Sequence, residues 1–290
     1  MNRKLLLGHL CAFFTIFIWG TTFISTKVLL QNFNPIEILF YRFIIGYAFL
    51  WIIRPRTLHI GSFKMEIQFM MAGLMGICLN YLFENMALLY TGAAIVSVIV
   101  SASPFMIGFL AYIFLKQKWN RYFVIGFVIA ITGIAMICFS DEPLAEFHWL
   151  GQLISIGACF VWAAYGIFSE GINKQNYDVI LVTRRLFFYG LIFVVPLYLT
   201  MGRWESIFYL KNPLYAGNIL YLGVCACALS FITWNYAISV LGTVMTNIYV
   251  YLLPVITIVM STLILKEKIT LSIIIGTVLT LTGLALSERK

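Results

Sequence analysis

One acid stands out for what it can do. Glu84 lies in the stretch Asn80–Tyr90, NYLFENMALLY, late in an apolar run that starts near Ile67, with Asn80, Tyr81 and Asn85 around it. On a regular helix Gly73, Ile77, Asn80, Glu84 and Leu88 share one face, with Tyr81 beside it. A carboxylate so placed can bind an ammonium or carry a coupling proton. It can equally be the structural partner of an arginine, or an acid snorkelling outward. A charge at mid-membrane costs roughly 2.5–3.5 kcal/mol on insertion scales, less near a span end, and such residues face protein or a water-filled cavity.

Other apolar runs carry polar and aromatic side chains at helical spacing. Thr15, Trp19, Thr22 and Thr26 form one stripe, and Ser155, Cys159, Trp162, Gly166 and Ser169 another, with Tyr165 alongside. Ser97, Ser101, Pro104 and Gly108 share a face, as do Asn247, Tyr251 and Pro254, and Trp234 adds an aromatic in a further run. Mid-run tryptophans stack on a planar or apolar molecule if they face a cavity. Small and hydroxyl residues also mark helix packing seams in lipid, so both readings stand. Pro104 and Pro254 each remove a backbone hydrogen bond, which makes a hinge, a lining kink or a static bend. Tyr249 and Tyr251 point to different faces, so at most one turns inward. Arg42, Arg184 and Arg185 lie within apolar runs. They can snorkel, pair with Glu84, or hold a carboxylate on a bound molecule.

These residues need elements to position them, and composition says which. The chain of 290 residues is 62% hydrophobic and 10% charged, with a mean hydropathy of +0.97. Soluble domains are nearer 45–50% apolar and 25% charged. Lipid is therefore the solvent, and long unbroken runs mean helices rather than a barrel. Ten spans are expected at roughly 9–30, 35–53, 67–90, 93–115, 121–139, 149–169, 178–199, 214–240, 243–265 and 269–287. The start MNRKLLLGHLCAFFTIFIWG has a basic flank but no small-x-small cleavage site, so it reads as a retained first helix. The longest connection runs from Thr200 to Pro213, leaving no room for a separate soluble domain.

Charge placement sets orientation. With the N-terminus in the cytoplasm, Arg3, Lys4, Arg54, Arg56, Lys64, Lys116, Lys118, Arg121, Lys174, Arg289 and Lys290 lie inside, against Lys27, Arg203, Lys211, Lys266 and Lys268 outside. The positive-inside rule then places both termini in the cytoplasm. It also accounts for the net charge of +8 without nucleic acid. The six cysteines fall in apolar runs without metal-ligand spacing, and the three histidines form no cluster, so no metal and no cofactor are expected.

The sequence repeats. At a shift of 150, Asn85 falls on Asn235, Gly92 on Gly242, Pro104 on Pro254, Lys116 on Lys266, Gly126 on Gly276 and Gly133 on Gly283. Earlier the shift is 143, pairing Trp19 with Trp162 and Arg42 with Arg185. The chain is thus two five-helix units, over 1–140 and 141–290. Five is odd, so the second unit enters the membrane from the opposite side. Inverted repeats are a recurring plan of secondary transporters, with the site near mid-membrane between the copies. Glu84 falls on Trp234, so the halves differ chemically at the position of interest. Gly126, Ala130 and Gly133, with Gly276, Thr280 and Gly283, make smooth faces that suit scaffold packing or a dimer contact.

With WGTTFISTK in the first run, RF in the second, a proline followed by FLKQKW in the fourth and GFVIAITGIAMI in the fifth, the chain resembles an EamA-type member of the drug/metabolite transporter superfamily. The stretch LLPVITIVMSTLILKEKITLSIIIGTVLTLTGLAL repeats the pattern, and the likeness covers nearly the whole chain. It implies an all-α polytopic membrane protein, ten helices in two inverted five-helix repeats around a central cavity. It also implies a cavity lined by the first, third and fourth helices of each half, with the fifth helices peripheral. The second helices are not central in that plan, which favours a structural or gating role for Arg42 and Arg185. Lys116-Gln117-Lys118 departs from the glutamate many relatives carry between helices four and five, while Lys266-Glu267-Lys268 keeps it; the effect is expected to stay within the loop.

The expected function is non-ATP transport of amino acids or related small metabolites, with export as the direction. No GxxxxGK[ST] loop is present to bind ATP. Partners are a small-molecule substrate and the bilayer, with proton coupling through Glu84 as an option, no nucleic acid, and a monomer or homodimer in the cytoplasmic membrane. The cavity residues expected are Trp19, Thr22, Asn80, Tyr81, Glu84, Ser101, Trp162, Tyr165, Trp234, Asn247 and Tyr251. Nucleotide sugars would need several cavity cations; purines and amines are further alternatives. An intramembrane enzyme would need Ser or Cys with His and Asp in one span, which no run offers.

Overall fold

A computed structural model of the chain describes residues 3–115, 121–138, 148–173, 175, 177–241, 245–246 and 249–287. Every regular element among them is helical. The first five are α1 (Arg3–Leu29), α2 (Pro35–Ile53), α3 (Phe63–Tyr90), α4 in two segments (Ala93–Ser101 and Ser103–Leu115) and α5 (Arg121–Cys138). Then come α6 (His148–Asn173), α7 (Val179–Met201), α8 (Pro213–Leu241), α9 (Tyr249–Leu265) and α10 (Leu271–Ser287). The first eight are long and apolar enough to cross a membrane; α9 and α10 are shorter apolar helices. Side chains such as Val128, Ile131, Leu199 and Val278 are exposed on the outside of the bundle, as lipid-facing surfaces require.

Neighbouring helices exchange between the halves. α1 packs on α8 and α9, and α6 packs on α3 and α4; α2 pairs with α7, and α5 with α10. The α5–α10 contact is backbone to backbone. A Cβ on Gly133 would meet the Gly276 carbonyl oxygen at 2.5 Å, and one on Gly126 would strike the Gly283 oxygen. Gly126 thus faces Gly283 while Gly133 faces Gly276, so α5 and α10 cross antiparallel. The smooth faces are covered inside the chain and are not available as a dimer surface.

The bundle is tied at both ends. Asn34 and Glu37 form a capping box at the start of α2, and Glu37 also takes the Arg203 backbone N–H (2.7 Å) and its Nε–H (3.1 Å). At the far ends of the same helices, Arg54 pairs with Asp178 at 3.2 Å. Arg184 donates to the carbonyls of Arg54 and Arg56 with its guanidinium 3.8 Å from the Trp51 ring centroid.

Five features depart from the sequence expectations. The connection after α7 holds a 3-10 helix, Trp204–Lys211. α3 contains a π segment, Leu74–Leu79, and α8 another, Tyr221–Leu229, while α9 ends in a third, Ser261–Leu265. A π turn adds a residue to the helical repeat and rotates the turns beyond it. The single face expected for Gly73, Ile77, Asn80, Glu84 and Leu88 is therefore split. Gly73 and Ile77 abut α7 at Tyr189 and Gly190, while Asn80 and Glu84 turn away from it. Finally, α4 breaks at Ala102, two residues before Pro104, which then starts the second segment where its missing N–H is not needed.

Candidate functional site

A cavity of about 340 Å³ lies among α1, α2, α3, α4, α6, α8 and α9. That is within the usual span of small-molecule sites. α1 contributes Trp19, Thr22 and Phe23, α2 contributes Arg42, and α3 contributes Asn80, Tyr81 and Glu84. Val100, Ser101, Ser103, Pro104 and Ile107 come from both sides of the α4 break. Trp162, Trp234, Val250, Tyr251 and Leu253 come from the second half.

Local structure explains how each group arrives. The π segment of α3 ends at Leu79 and hands the next turn, with Asn80, Tyr81 and Glu84, to the cavity. Asn80 is buried, and its Nδ2–H donates to Glu84 Oε1 at 3.0 Å, which orients the carboxylate. The neighbouring Asn85 turns the other way and donates to the Pro35 carbonyl at 3.2 Å, tying α3 to α2. The break at Ala102 lets Ser101 and Pro104 reach one wall. Trp19 donates its indole N–H to the Ala226 carbonyl at 3.3 Å, and its ring lies 5.3 Å from that of Trp234. The α8 carbonyl that receives it belongs to a π segment, where the backbone ladder is loosened.

The α1 stripe divides between two jobs. Thr15 is buried against α8, with its Oγ1 2.7 Å from Thr233 Oγ1, and Thr26 is also buried. Trp19 and Thr22 line the cavity. On α6, Ser155 returns its hydroxyl to the Gly151 carbonyl and Cys159 donates to the Ile99 carbonyl. Only Trp162 of that stripe reaches the cavity.

Several expected positions fall elsewhere. Tyr165 is not on the wall; it packs behind Trp162, ring centroids 4.9 Å apart. Pro254 is buried in the α9 segment Leu252–Met260, just after a 3-10 turn at Tyr249–Tyr251, and does not line the space. Arg185 bonds to Glu66, whose other oxygen takes the Tyr189 hydroxyl at 2.6 Å, so it is an end-of-bundle tie. Arg42 departs in the opposite sense. The family plan puts it outside the centre, yet its side chain lines the cavity and is only 2% exposed. The second helix is drawn in because Arg42 Nε–H reaches Cys227 Sγ (3.3 Å) on α8 and its guanidinium stacks 4.4 Å from the Tyr81 ring centroid. Glu84 has no ion pair with Arg42 or Arg185 among the described residues. Asn247, Lys116, Gln117, Lys118, Lys174, Gly242, Arg289 and Lys290 lie outside the described residues, as does most of the acidic stretch from Asp141.

A larger recess, about 430 Å³, lies at the ends of α1, α3 and α4 and around the α9–α10 turn. Two of its charges, Lys27 and Glu267, are already engaged. Lys27 pairs with Glu267 at 3.4 Å and donates to the Thr91 carbonyl at 2.6 Å. Glu267 also accepts the first backbone N–H groups of α4, from Ala93 (3.0 Å) and Ala94 (3.4 Å). It caps a helix of the other half, where an anion is favoured. A left-handed residue at the end of α9, Lys266 with φ 57°, turns the chain to make this reach. The mid-bundle cavity is the better site because Arg42 and Glu84 both line it with no ion pair to either among the described residues.

Sequence reasoning missed Phe23, Val100, Ser103, Ile107, Val250 and Leu253 on the wall. The five apolar ones, in apolar spans, carry no signal of which way they face, and Ser103 is one of many hydroxyl residues in such spans. Arg42 did carry a signal: a guanidinium well inside an apolar run.

Comparison with known proteins gives the same outline. Residues 6–139 and 149–288 each match the EamA-like transporter family. A protein of Archaeoglobus fulgidus described as an uncharacterized transporter is 27% identical, over 100% of this chain and 99% of its own. The uncharacterized transporter YvbV of Bacillus subtilis is 23% identical, over 96% and 90%. The uncharacterized inner membrane transporter YhbE of Escherichia coli K12 is 25% identical over 60% of this chain and 57% of its own. A solved crystal structure superposes with a TM-score of 0.66 at 15% identity, covering 97% of this chain and 96% of that one, which is a likeness of fold.

Proposed function

From the premise that this chain belongs to the EamA-like transporter family, and is a multi-pass membrane transporter rather than an enzyme, we propose that it is a secondary exporter of amino acids or related small metabolites. Ten spans, in two inverted five-helix halves, alternate access to one site between them. The antiparallel crossing of α5 and α10, which are equivalent helices of the repeat, supports the inversion. The positive-inside count supports cytoplasmic termini, and YhbE, described as an inner membrane protein, supports the cytoplasmic membrane as the location.

One observation carries the substrate reading. A single cavity joins a carboxylate, Glu84, to indole and phenol rings from both halves, Trp19, Tyr81, Trp162, Trp234 and Tyr251. Glu84 faces the amine of the cargo and the rings face its apolar part. Cation–π attraction adds to that recognition, about 0.5–2 kcal/mol. The α4 break and the π segments of α3 and α8 flank the cavity, and they are the places where these helices bend as the site changes sides.

The test is transport by purified protein in liposomes, with cargo chosen by thermal-shift screening of amino acids, amines and nucleosides. Glu84→Gln abolishes uptake driven by a proton gradient if Glu84 carries the coupling proton. If the variant transports at the parent rate with unchanged pH dependence, Glu84 is not the coupling group.

A further inference from the structure

Arg42 is held in the cavity with most of its hydrogen-bonding capacity unspent. A guanidinium has five N–H donors in a planar fork that matches a carboxylate. Among the described residues its one protein acceptor is Cys227 Sγ, 3.3 Å from Nε, and a thiol accepts weakly. Its flat face is covered, at 4.4 Å from the Tyr81 ring centroid and 5.4 Å from that of Phe43. That leaves the edge of the fork for whatever fills the cavity. A cation this buried is costly unless an anion meets it.

The obvious anion does not. Glu84 lines the same cavity, yet its Oε1 is taken by Asn80, and among the described residues no ion pair joins it to Arg42. Asn80 is 2% exposed, and its Oδ1 is buried with no partner among the described residues. The cavity therefore presents a free donor fork and a carboxylate. A molecule carrying one anionic and one cationic group satisfies both at once; a simple amine satisfies only the carboxylate.

We infer that Arg42 is a specificity-determining residue: it receives a carboxylate of the transported molecule, while Glu84, oriented by Asn80, receives its ammonium. The assignment rests on the cavity being the substrate site. It makes the second helix part of recognition and breaks the symmetry of the repeat, since the equivalent Arg185 is bonded to Glu66 outside the cavity.

The test uses the full chain in detergent and three probes that share a ring: phenylalanine, 2-phenylethylamine and 3-phenylpropionate. Equilibrium affinities are measured for the parent, Arg42→Gln, Arg42→Lys and Glu84→Gln, with monodispersity checked for each. The parent binds phenylalanine at least tenfold tighter than either fragment. Arg42→Gln brings phenylalanine and 2-phenylethylamine to within about threefold while keeping the amine's affinity, and Arg42→Lys restores part of the gap. Glu84→Gln closes the gap to 3-phenylpropionate instead. A merely structural Arg42 lowers all three affinities together and leaves their ratios alone, which overturns the assignment. So does a parent that binds the amine as tightly as phenylalanine, and that result leaves the cavity reading standing. If none of the three binds, the assignment and the cavity reading both fall.

Discussion

Glu267, on the turn between α9 and α10, meets Lys27 of α1 at 3.4 Å, and its two oxygens accept the first backbone N–H groups of α4. One side chain of the second half thus closes the end of two cavity-lining helices of the first. Its carboxylate does double duty as a helix cap and an ion-pair partner.

Removing that charge should loosen this end. Glu267→Gln is expected to cost about 1.5–3 kcal/mol, the scale of hydrogen bonds to a charged group, and to lower the melting temperature in detergent. It should also raise the labelling rate of a cysteine placed at Leu88 or Leu30, which flank the recess. Lys27→Gln should act in the same direction and less strongly, because the α4 cap survives. Unchanged labelling in Glu267→Gln would show that the contact does not hold this end closed.

The glycine contact between α5 and α10 makes a sharper stability prediction. At Gly133 an added methyl meets the Gly276 oxygen at 2.5 Å and the Thr280 nitrogen at 2.8 Å, and backbone cannot step aside cheaply. Gly133→Ala should cost about 1–3 kcal/mol through overpacking. Gly166→Ala is the control, since nothing lies within 4 Å of its added methyl; it should leave the melting temperature level or slightly higher, as Ala favours helix over Gly by about 1 kcal/mol. Melting curves of the two variants beside the parent decide it.

Arg185 should behave as a tie, not as a binding residue. Arg185→Gln and Glu66→Gln should each lower stability, and the double variant should lose less than their sum, the mark of a direct pair. Cargo affinity should hold within about threefold in all three. A larger loss confined to Arg185→Gln would return that residue to the site.

Much of the fold is legible in the sequence, for identifiable reasons. Apolar runs of about 20 residues have one structural answer in lipid, so α2 spans Pro35–Ile53, where the sequence predicts a span over 35–53. Glu84, Asn80 and the tryptophans stand out because polar or large aromatic groups are rare at that depth. The π segments leave no mark: LMGICL and YLGVCACAL differ in nothing but context from α-helical apolar sequence. Missing them has a cost, because uniform helical spacing puts Gly73 and Ile77 on the face of Glu84 when they abut α7. The reach of Glu267 is invisible for another reason: its partners Ala93 and Ala94 offer backbone, which no side-chain pattern announces. Tyr165 is misplaced by its spacing because nearby aromatics on a helix can pack ring against ring, as it does, tilted, against Trp162.

In the proposed site cargo sits between the halves, against Trp19 of one and Trp162 of the other. The most direct measurement is the equilibrium affinity of Trp19→Ala and Trp162→Ala for the ligand that most stabilises the parent. The expected result is a loss of at least about tenfold in each, or about 1.4 kcal/mol, with folding intact. Parent-like affinity in both folded variants would contradict it.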